Sequence, residues 1–343
     1  MQKTVLVTGI SGFIGLHCAK KLLESGFQVR GTVRSEEKEE IVRDTLALSA
    51  EKASHLSFKV LNLKLDDGWN EATRGCDYVM HIASPFRIAN PKDEIEMIEP
   101  AVEGTKRVLR AGYLANVKRI VLTSSIVAMM ASLRQGQFGP DDWTDITYPN
   151  LNTYIKSKTQ AEKAAWDFIN SQNTSDSTKV VGPELVVIAP GGVFGPPLGR
   201  DISGESLTVL TKMLNGKIPM VPETAFPMVD VRDVAELHLR AMLHSEAAGH
   251  RFIVAGTQPF SFADVAEILI KAGYKGPSKK RAPDWLFRFL ALFDRESAGM
   301  VGLLGMRPSA DNSKTREMFD WTPMPFEQSV LDSARAIKSF ETN

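Results

Sequence analysis

Tyr154 and Lys158 stand four residues apart in Tyr154-Ile155-Lys156-Ser157-Lys158. If that segment is helical, as the pattern Ala161–Ile169 predicts, phenol and ammonium project from one face a turn apart. A free tyrosine titrates near about 10, too high for easy proton exchange at neutrality. A neighbouring lysine cation, together with an oxidised nicotinamide, favours the phenolate and predicts a lowered value. Such a phenol can donate a proton to a carbonyl oxygen as hydride reaches the carbon. Ser125, in Thr123-Ser124-Ser125, offers a hydroxyl that can hydrogen-bond the same oxygen and stabilise its developing charge. Each piece alone has an ordinary explanation: a tyrosine and lysine at this spacing arise by chance, and Thr-Ser-Ser after a strand is usually a helix cap. Their joint occurrence, in this order behind a glycine-rich turn, is far more specific.

These groups need a scaffold. Short apolar runs predict strands at 4–8, 28–33, 57–61, 78–82, 119–123 and 185–189, with helices at 14–24 and 94–114 between them. Runs of Val, Ile and Leu without strict alternation imply burial on both faces. Strand–helix alternation then predicts a doubly wound α/β domain with a mostly parallel sheet. Ser125 follows a strand, at the carboxyl edge where open α/β sheets place ligands.

The first strand runs straight into Gly9-Ile10-Ser11-Gly12-Phe13-Ile14-Gly15. Glycine permits the tight turn and lets backbone N–H groups approach a pyrophosphate, and the helix that follows aims its positive end at the phosphates. The second strand ends in Val33-Arg34 with no acid to receive ribose hydroxyls, which favours NADP(H) over NAD. Arg34 can make a charge-assisted, stacked contact with a 2′-phosphate, and Lys38 lies four residues on. Glu36, Glu37, Glu39 and Glu40 surround Lys38, so a solvated charge run is the competing explanation there.

The chain has 343 residues, 41 Lys plus Arg and 41 Asp plus Glu, and 43% hydrophobic residues. That length suits one large domain with a smaller lobe. Zero net charge gives no electrostatic reason for binding nucleic acid or an anionic membrane surface. Cys18 and Cys76 have neither metal nor redox spacing and fit a reducing, cytoplasmic compartment. No metal is expected. The apolar stretch Trp285–Phe293 falls short of the roughly 20 residues that span a bilayer. Gly191–Pro197 reads as a turn that continues neither strand nor helix, followed by a helix near 207–214. Phe226–His238 reads as a return to the main domain, with a strand at 251–254. The expected division is 1–190 plus about 228–255 for the cofactor domain, and 191–227 plus about 256–343 for a mainly helical substrate lobe.

The chain resembles the extended short-chain dehydrogenases/reductases, and within them dihydroflavonol reductases, cinnamoyl-CoA reductases and methylglyoxal/aldehyde reductases. The likeness spans nearly the whole length. It rests on Thr8 through Gly15, Val33-Arg34, His81-Ile82-Ala83-Ser84-Pro85, Thr123-Ser124-Ser125 and Tyr154 with Lys158. Pro190-Gly191, Val193-Phe194-Gly195-Pro196, Asp230–Ala235 and Asp311-Asn312-Ser313-Lys314 extend it. The resemblance implies NADPH-dependent reduction of an aldehyde or ketone on a Rossmann-type domain. Tyr154 is then the proton donor, Lys158 binds the nicotinamide ribose, and Ser125 polarises the substrate. Pro190 and Val193 would sit against the nicotinamide, Ala83 and Ser84 along the dinucleotide, and Thr123 beside the ribose. Asn62-Leu63 departs from the Asp-Leu that relatives place near adenine, which puts that contact in doubt.

Two rival functions share the scaffold: an NAD-retaining nucleotide-sugar epimerase or dehydratase, and an NADP-binding redox sensor without chemistry. Presence of both Tyr154 and Lys158 speaks against the sensor. Candidate pocket walls are Phe86, Ile126, Phe226 and Trp285–Phe293, which suit an apolar or aromatic carbonyl compound. Trp285–Phe293 also fits a helix packing the small lobe's own core. Met129 and Met130 either adapt to varied substrates or fill gaps. His81, at a buried strand end, reads as a packed, hydrogen-bonded histidine. Monomer and homodimer both remain open.

Overall fold

The computed structural model describes residues 2–85, 89–173, 182–200 and 204–342. Its strands are β1 (Thr4–Thr8), β2 (Gln28–Val33), β3 (Leu56–Val60), β4 (Tyr78–His81), β5 (Arg119–Thr123) and β6 (Gln137–Phe138). They continue with β7 (Glu184–Pro190), β8 (Gly192–Phe194), β9 (Ala225–Asp230), β10 (Arg251–Val254), β11 (Pro259–Ser261) and β12 (Ser309–Ala310). The first helices are α1 (Phe13–Glu24), α2 (Glu37–Leu46), α3 (Ala50–Ser54), α4 (Trp69–Thr73), α5 (Ile95–Leu114), α6 (Val127–Met130) and α7 (Thr153–Asn173). Beyond them lie α8 (Glu205–Leu214), α9 (Val231–Leu243), α10 (Phe262–Lys271), α11 (Asp284–Leu290), α12 (Arg295–Met300), α13 (Ser313–Phe319) and α14 (Phe326–Thr342).

Seven strands form one all-parallel sheet in the order β3-β2-β1-β4-β5-β7-β10. Along β5, Val121 faces one side and Ile120 and Leu122 the other. Val121 joins Val5, Val7, Val186 and Ile188 under α1 and α9, through Leu16, Leu22, Val234 and Leu237. Ile120 and Leu122 join Leu6, Val79 and Val187 under α5 and α7, through Val108, Leu109, Ala165 and Ile169. Helices on both faces explain the apolar centres of the middle strands, Val5–Val7 of β1, Val79–Met80 of β4, Ile120–Leu122 of β5 and Leu185–Ile188 of β7. The doubly wound Rossmann-type sheet expected from the sequence is present.

Strands β1, β2, β5 and β10 begin and end where the sequence pattern places them, and β3 starts one residue earlier. The fourth strand stops at His81 rather than Ile82 for a local reason. The Ile82 and Ala83 N–H groups donate to the Thr8 hydroxyl, at 3.1 and 3.0 Å, instead of continuing a ladder.

One expectation beyond β7 needs correction, and a second needs refining. Gly191–Pro197 is not all turn, because Gly192–Phe194 forms β8, parallel to β9. Glycine serves there because a Cβ at Gly192 would lie 2.7 Å from the Phe226 ring. Phe226–Asp230 does not return to the main sheet either. Strand β9 sits centrally in a separate sheet, order β11-β9-β8, and the return to the main domain is made by its Val229 and by the helix after it, α9, which both join the core under the main sheet.

The small sheet shares a core with α8, α10 and α14, built on Leu207, Leu210, Val265, Leu269, Val330 and Ile337. Phe326 is wedged in it, its ring 4.5 Å from that of Phe260 and 5.4 Å from that of Phe194. Ser261 and Asp264 cap α10 reciprocally. No helix among the described residues is long and apolar enough to cross a membrane.

Candidate active site

The strand order reverses about β1, so the turns after β1 and β4 flank one crevice at the carboxyl edge of the sheet. Gly9 has φ +67°, a left-handed conformation that suits glycine, and its carbonyl accepts the Gly12 N–H at 3.0 Å. A Cβ on Gly9 would approach the Ala83 Cα to 2.9 Å, and one on Gly15 would lie 2.2 Å from the Gly9 oxygen. The two turns therefore touch through glycine. Helix α1 begins with Gly12 as N-cap, has no side-chain cap and carries no acid in its first turn. Among the described residues no side chain caps its leading N–H groups, and Ser11, Phe13 and Ile14 line this start half-buried. That is a fitting cradle for a pyrophosphate.

Thr8 ties the crevice together. Its hydroxyl accepts the two loop N–H groups and pairs with His81 Nδ1 at 2.8 Å, while His81 Nε2 meets the Thr105 hydroxyl at 3.3 Å. Burial pushes the His81 pKa down to about 3, so the ring is a neutral packing and hydrogen-bonding element. Ala83 and Ser84 lie half-buried just beyond.

Arg34 is exposed immediately past β2, and Lys38 is half-buried in the first turn of α2 among Glu37, Glu39 and Glu40. Asn62 is exposed past β3, where its side-chain oxygen accepts the Lys64 N–H at 3.0 Å. Leu63 packs against Gly104, whose absent Cβ would lie 2.9 Å from it.

Strand β5 delivers Thr123, Ser124 and Ser125 to the edge, held by Ser124 N–H to Ile188 O at 2.7 Å and Ile126 N–H to Pro190 O at 3.0 Å. The Ser125 hydroxyl hydrogen-bonds the Tyr154 phenol. Lys158, a turn further along α7, donates from Nζ to Thr123 O at 3.1 Å. The structure thus gathers Ser125, Tyr154 and Lys158 into one cluster. Thr123 also pairs through its hydroxyl with His238 Nε2 at 2.7 Å. Pro190 is buried at the end of β7, and Val193 is half-buried in β8.

One electrostatic expectation meets an opposing effect. Burial pushes the Tyr154 phenol up to about 12, opposed only by the Ser125 hydrogen bond, because removing a phenolate from water outweighs that contact. Lys158 moves instead: burial lowers it to about 8, against a raising influence of Glu162.

Three residues escaped the sequence reading. Asn152 accepts the Ile155 N–H at 2.9 Å and donates to Gly299 O at 2.9 Å, while Asn90 accepts the Thr153 N–H at 3.0 Å. Together they cap the helix that carries Tyr154. Glu162 lies buried one turn beyond Lys158. Asn152 and Glu162 had readable signals, a cap residue before a helix and an i,i+4 partner for lysine. Nothing local marks Asn90.

Among the substrate candidates, Phe86 lies outside the described residues. Ile126 is 2% exposed and fills a core with Met129, Met130, Phe138 and Met306, so its side chain faces the interior rather than a pocket. Both methionines fill the same space. Phe226 is half-buried, edge-on to Phe262 at 6.0 Å. The segment Trp285–Phe293 does not pack the lobe's own core, since Trp285 is 67% and Phe293 78% exposed.

Residues 5–255 match the model of the NAD dependent epimerase/dehydratase family. The chain is 31% identical to the NADPH-dependent methylglyoxal reductase GRE2 of Saccharomyces cerevisiae, over 98% of this chain and 99% of that protein. It is 36% identical to cinnamoyl-CoA reductase 1 of Petunia hybrida, over 78% and 77% of the two chains. The crystal structure of yeast methylglyoxal/isovaleraldehyde reductase Gre2 complexed with NADPH superposes with a TM-score of 0.79 at 26% identity, covering 99% of each chain.

Proposed function

Because the chain belongs to the NAD dependent epimerase/dehydratase family, the extended short-chain dehydrogenases/reductases, we propose that it reduces aldehydes or ketones to alcohols with NADPH. The observation that carries this reading is the meeting of Ser125, Tyr154 and Lys158 at the sheet edge beside the glycine turn. The uncapped start of α1 fits the pyrophosphate, and Arg34, exposed past β2, fits a 2′-phosphate.

Bound reduced nicotinamide supplies the hydride for the carbonyl carbon. Ser125 holds the carbonyl oxygen and Tyr154 protonates it. With its pKa near 12, the phenol is fully protonated at neutral pH and ready as a donor. The phenolate left behind is costly in a buried site, and the Lys158 ammonium is the cation positioned to favour it. Pro190 and Val193 would hold the nicotinamide, and Ala83, Ser84 and Thr123 the rest of the dinucleotide. The small sheet with α8, α10 and α14 supports the substrate side, where Phe226 and the exposed Trp285–Phe293 segment select an apolar carbonyl compound. A cytosolic setting is part of this reading; Cys18 and Cys76 are buried free thiols.

The test is NADPH oxidation across aldehydes, ketones, diketones and flavonoid-like ketones, run beside Tyr154→Phe. Turnover should fall about a hundred- to ten-thousand-fold in the variant, with NADPH binding nearly intact. A variant as active as the parent ends the assignment.

A further inference from the structure

Glu162 has no place in the chemistry described so far, yet it is a fully buried carboxylate, its side chain 1% exposed, one turn from Lys158. A lone carboxylate in that position would protonate or find partners. It has several. Oε1 pairs with Arg251 Nε at 2.5 Å and accepts from Trp166 Nε1 at 3.3 Å, while Oε2 accepts the Ser124 hydroxyl. Arg251 is fixed in turn. Its Nη1 donates to Pro140 O and Asp142 O, both at 2.7 Å, and its guanidinium lies 3.8 Å from the centre of the Trp143 ring. A rigid edge of the molecule, from Trp143 through β10 to α7, thus holds one negative charge beneath the catalytic cluster.

Among the described residues, the other groups facing Lys158 carry no charge to compete with it. From β5 it meets the Thr123 carbonyl, and from β4 it meets His81, held neutral at about 3. His238, reaching Thr123 from α9, is neutral at about 4. On α7 itself the neighbours are Tyr154, protonated, and Glu162. We propose that Glu162 is a positioning residue whose buried carboxylate, anchored by Arg251 and Ser124, keeps the Lys158 ammonium charged at working pH. Arginine does not lose its proton in proteins, so in a buried row of cation, anion and cation the lysine is the group that yields when the anion is removed.

The inference rests on reading Lys158 as the cation beside the phenol, but its decisive readout needs neither cofactor nor turnover. Lysine labelled with 13C at Cε reports each ammonium's titration by NMR, with the Lys158 signal identified by its loss in Lys158→Met. In Glu162→Gln the Lys158 midpoint should fall by at least about one pH unit. In Arg251→Gln, where Lys158 becomes the main counter-ion of Glu162, it should rise. The basic limb of kcat/KM should move in the same directions, with Glu162→Gln recovering activity toward acid pH. A purely structural role would lower the melting temperature and leave both midpoints in place. That outcome overturns the proposal, as does a downward shift in Arg251→Gln should Glu162→Gln not fold. If the parent enzyme oxidises no NADPH with any carbonyl compound, the functional reading fails while the lysine titrations still decide the part played by Glu162.

Discussion

The edge around Tyr154 and the segment Asp284–Phe293 distribute polarity in opposite ways. At the edge, Ser125, Lys158 and Glu162 are polar groups almost wholly withdrawn from water, each with named partners. Along α11 and the residues after it, Trp285, Phe289, Leu292 and Phe293 are large apolar groups left in water, with the Phe289 and Phe293 rings edge-on at 5.6 Å. Neither arrangement serves stability at lowest cost. Buried charges need compensating partners, and clustered exposed rings mark surfaces built to meet something. The first region fixes atoms within a rigid network, as proton transfer demands. The second keeps apolar surface available, which suits the substrate contact proposed for it.

The sharpest break of that contrast is at Gly15. A side chain there has no room, since its Cβ would lie 2.2 Å from a backbone oxygen, and the turn must move. We expect Gly15→Val to cost about 1–3 kcal/mol of stability. It should also abolish NADPH binding measurable by fluorescence titration; binding like the parent's would show the turn to be uninvolved. Next in size is the pH response. Lys158, lowered by burial to about 8, is charged below that pH and neutral above it. The phenol keeps its proton up to about 12 and contributes no limb in this range. Reduction measured as kcat/KM, which reads the free enzyme, should therefore hold below about pH 8 and fall roughly tenfold per unit above it. A profile flat to pH 10 would remove the lysine cation from the mechanism.

Much of the first region was legible in the sequence, and the second only in part. Strands β1, β5 and β10 could be read because both sheet faces are covered, which leaves an apolar run of three residues or more in each. Tyr154 and Lys158 could be read because helical spacing alone puts them on one face. What escaped was everything set by distant contacts. Thr8 holding Ile82 and Ala83, Asn90 capping α7, and Arg251 meeting Glu162 join residues far apart in the chain that no local pattern links. The burial that raises the Tyr154 pKa escaped for the same reason, because burial is a tertiary property while the lysine four residues on is a local one. In the small lobe, Phe226–His238 could be read as a return to the main domain, but its apolar run does not name the neighbours of β9, which are β8 and β11.

Arg34 lies between the two regimes, a charged group that is exposed yet assigned a partner. Substituting alanine should reduce the preference for NADPH over NADH by about tenfold or more, as loss of a charge-assisted hydrogen bond does. An unchanged ratio would shift the 2′-phosphate to another group. The smallest effect belongs to the exposed rings. Trp285→Ala and Phe289→Ala remove side chains 67% and 55% exposed, so stability should change by no more than about 0.5 kcal/mol. If the segment meets substrate, KM for bulky aromatic carbonyls should rise several-fold while kcat, and KM for small aldehydes, stay near the parent's values, because lost apolar contact is worth only about 1–3 kcal/mol. Equal KM changes for small and large substrates would separate these rings from recognition and leave the contrast between the two regions resting on the buried edge alone.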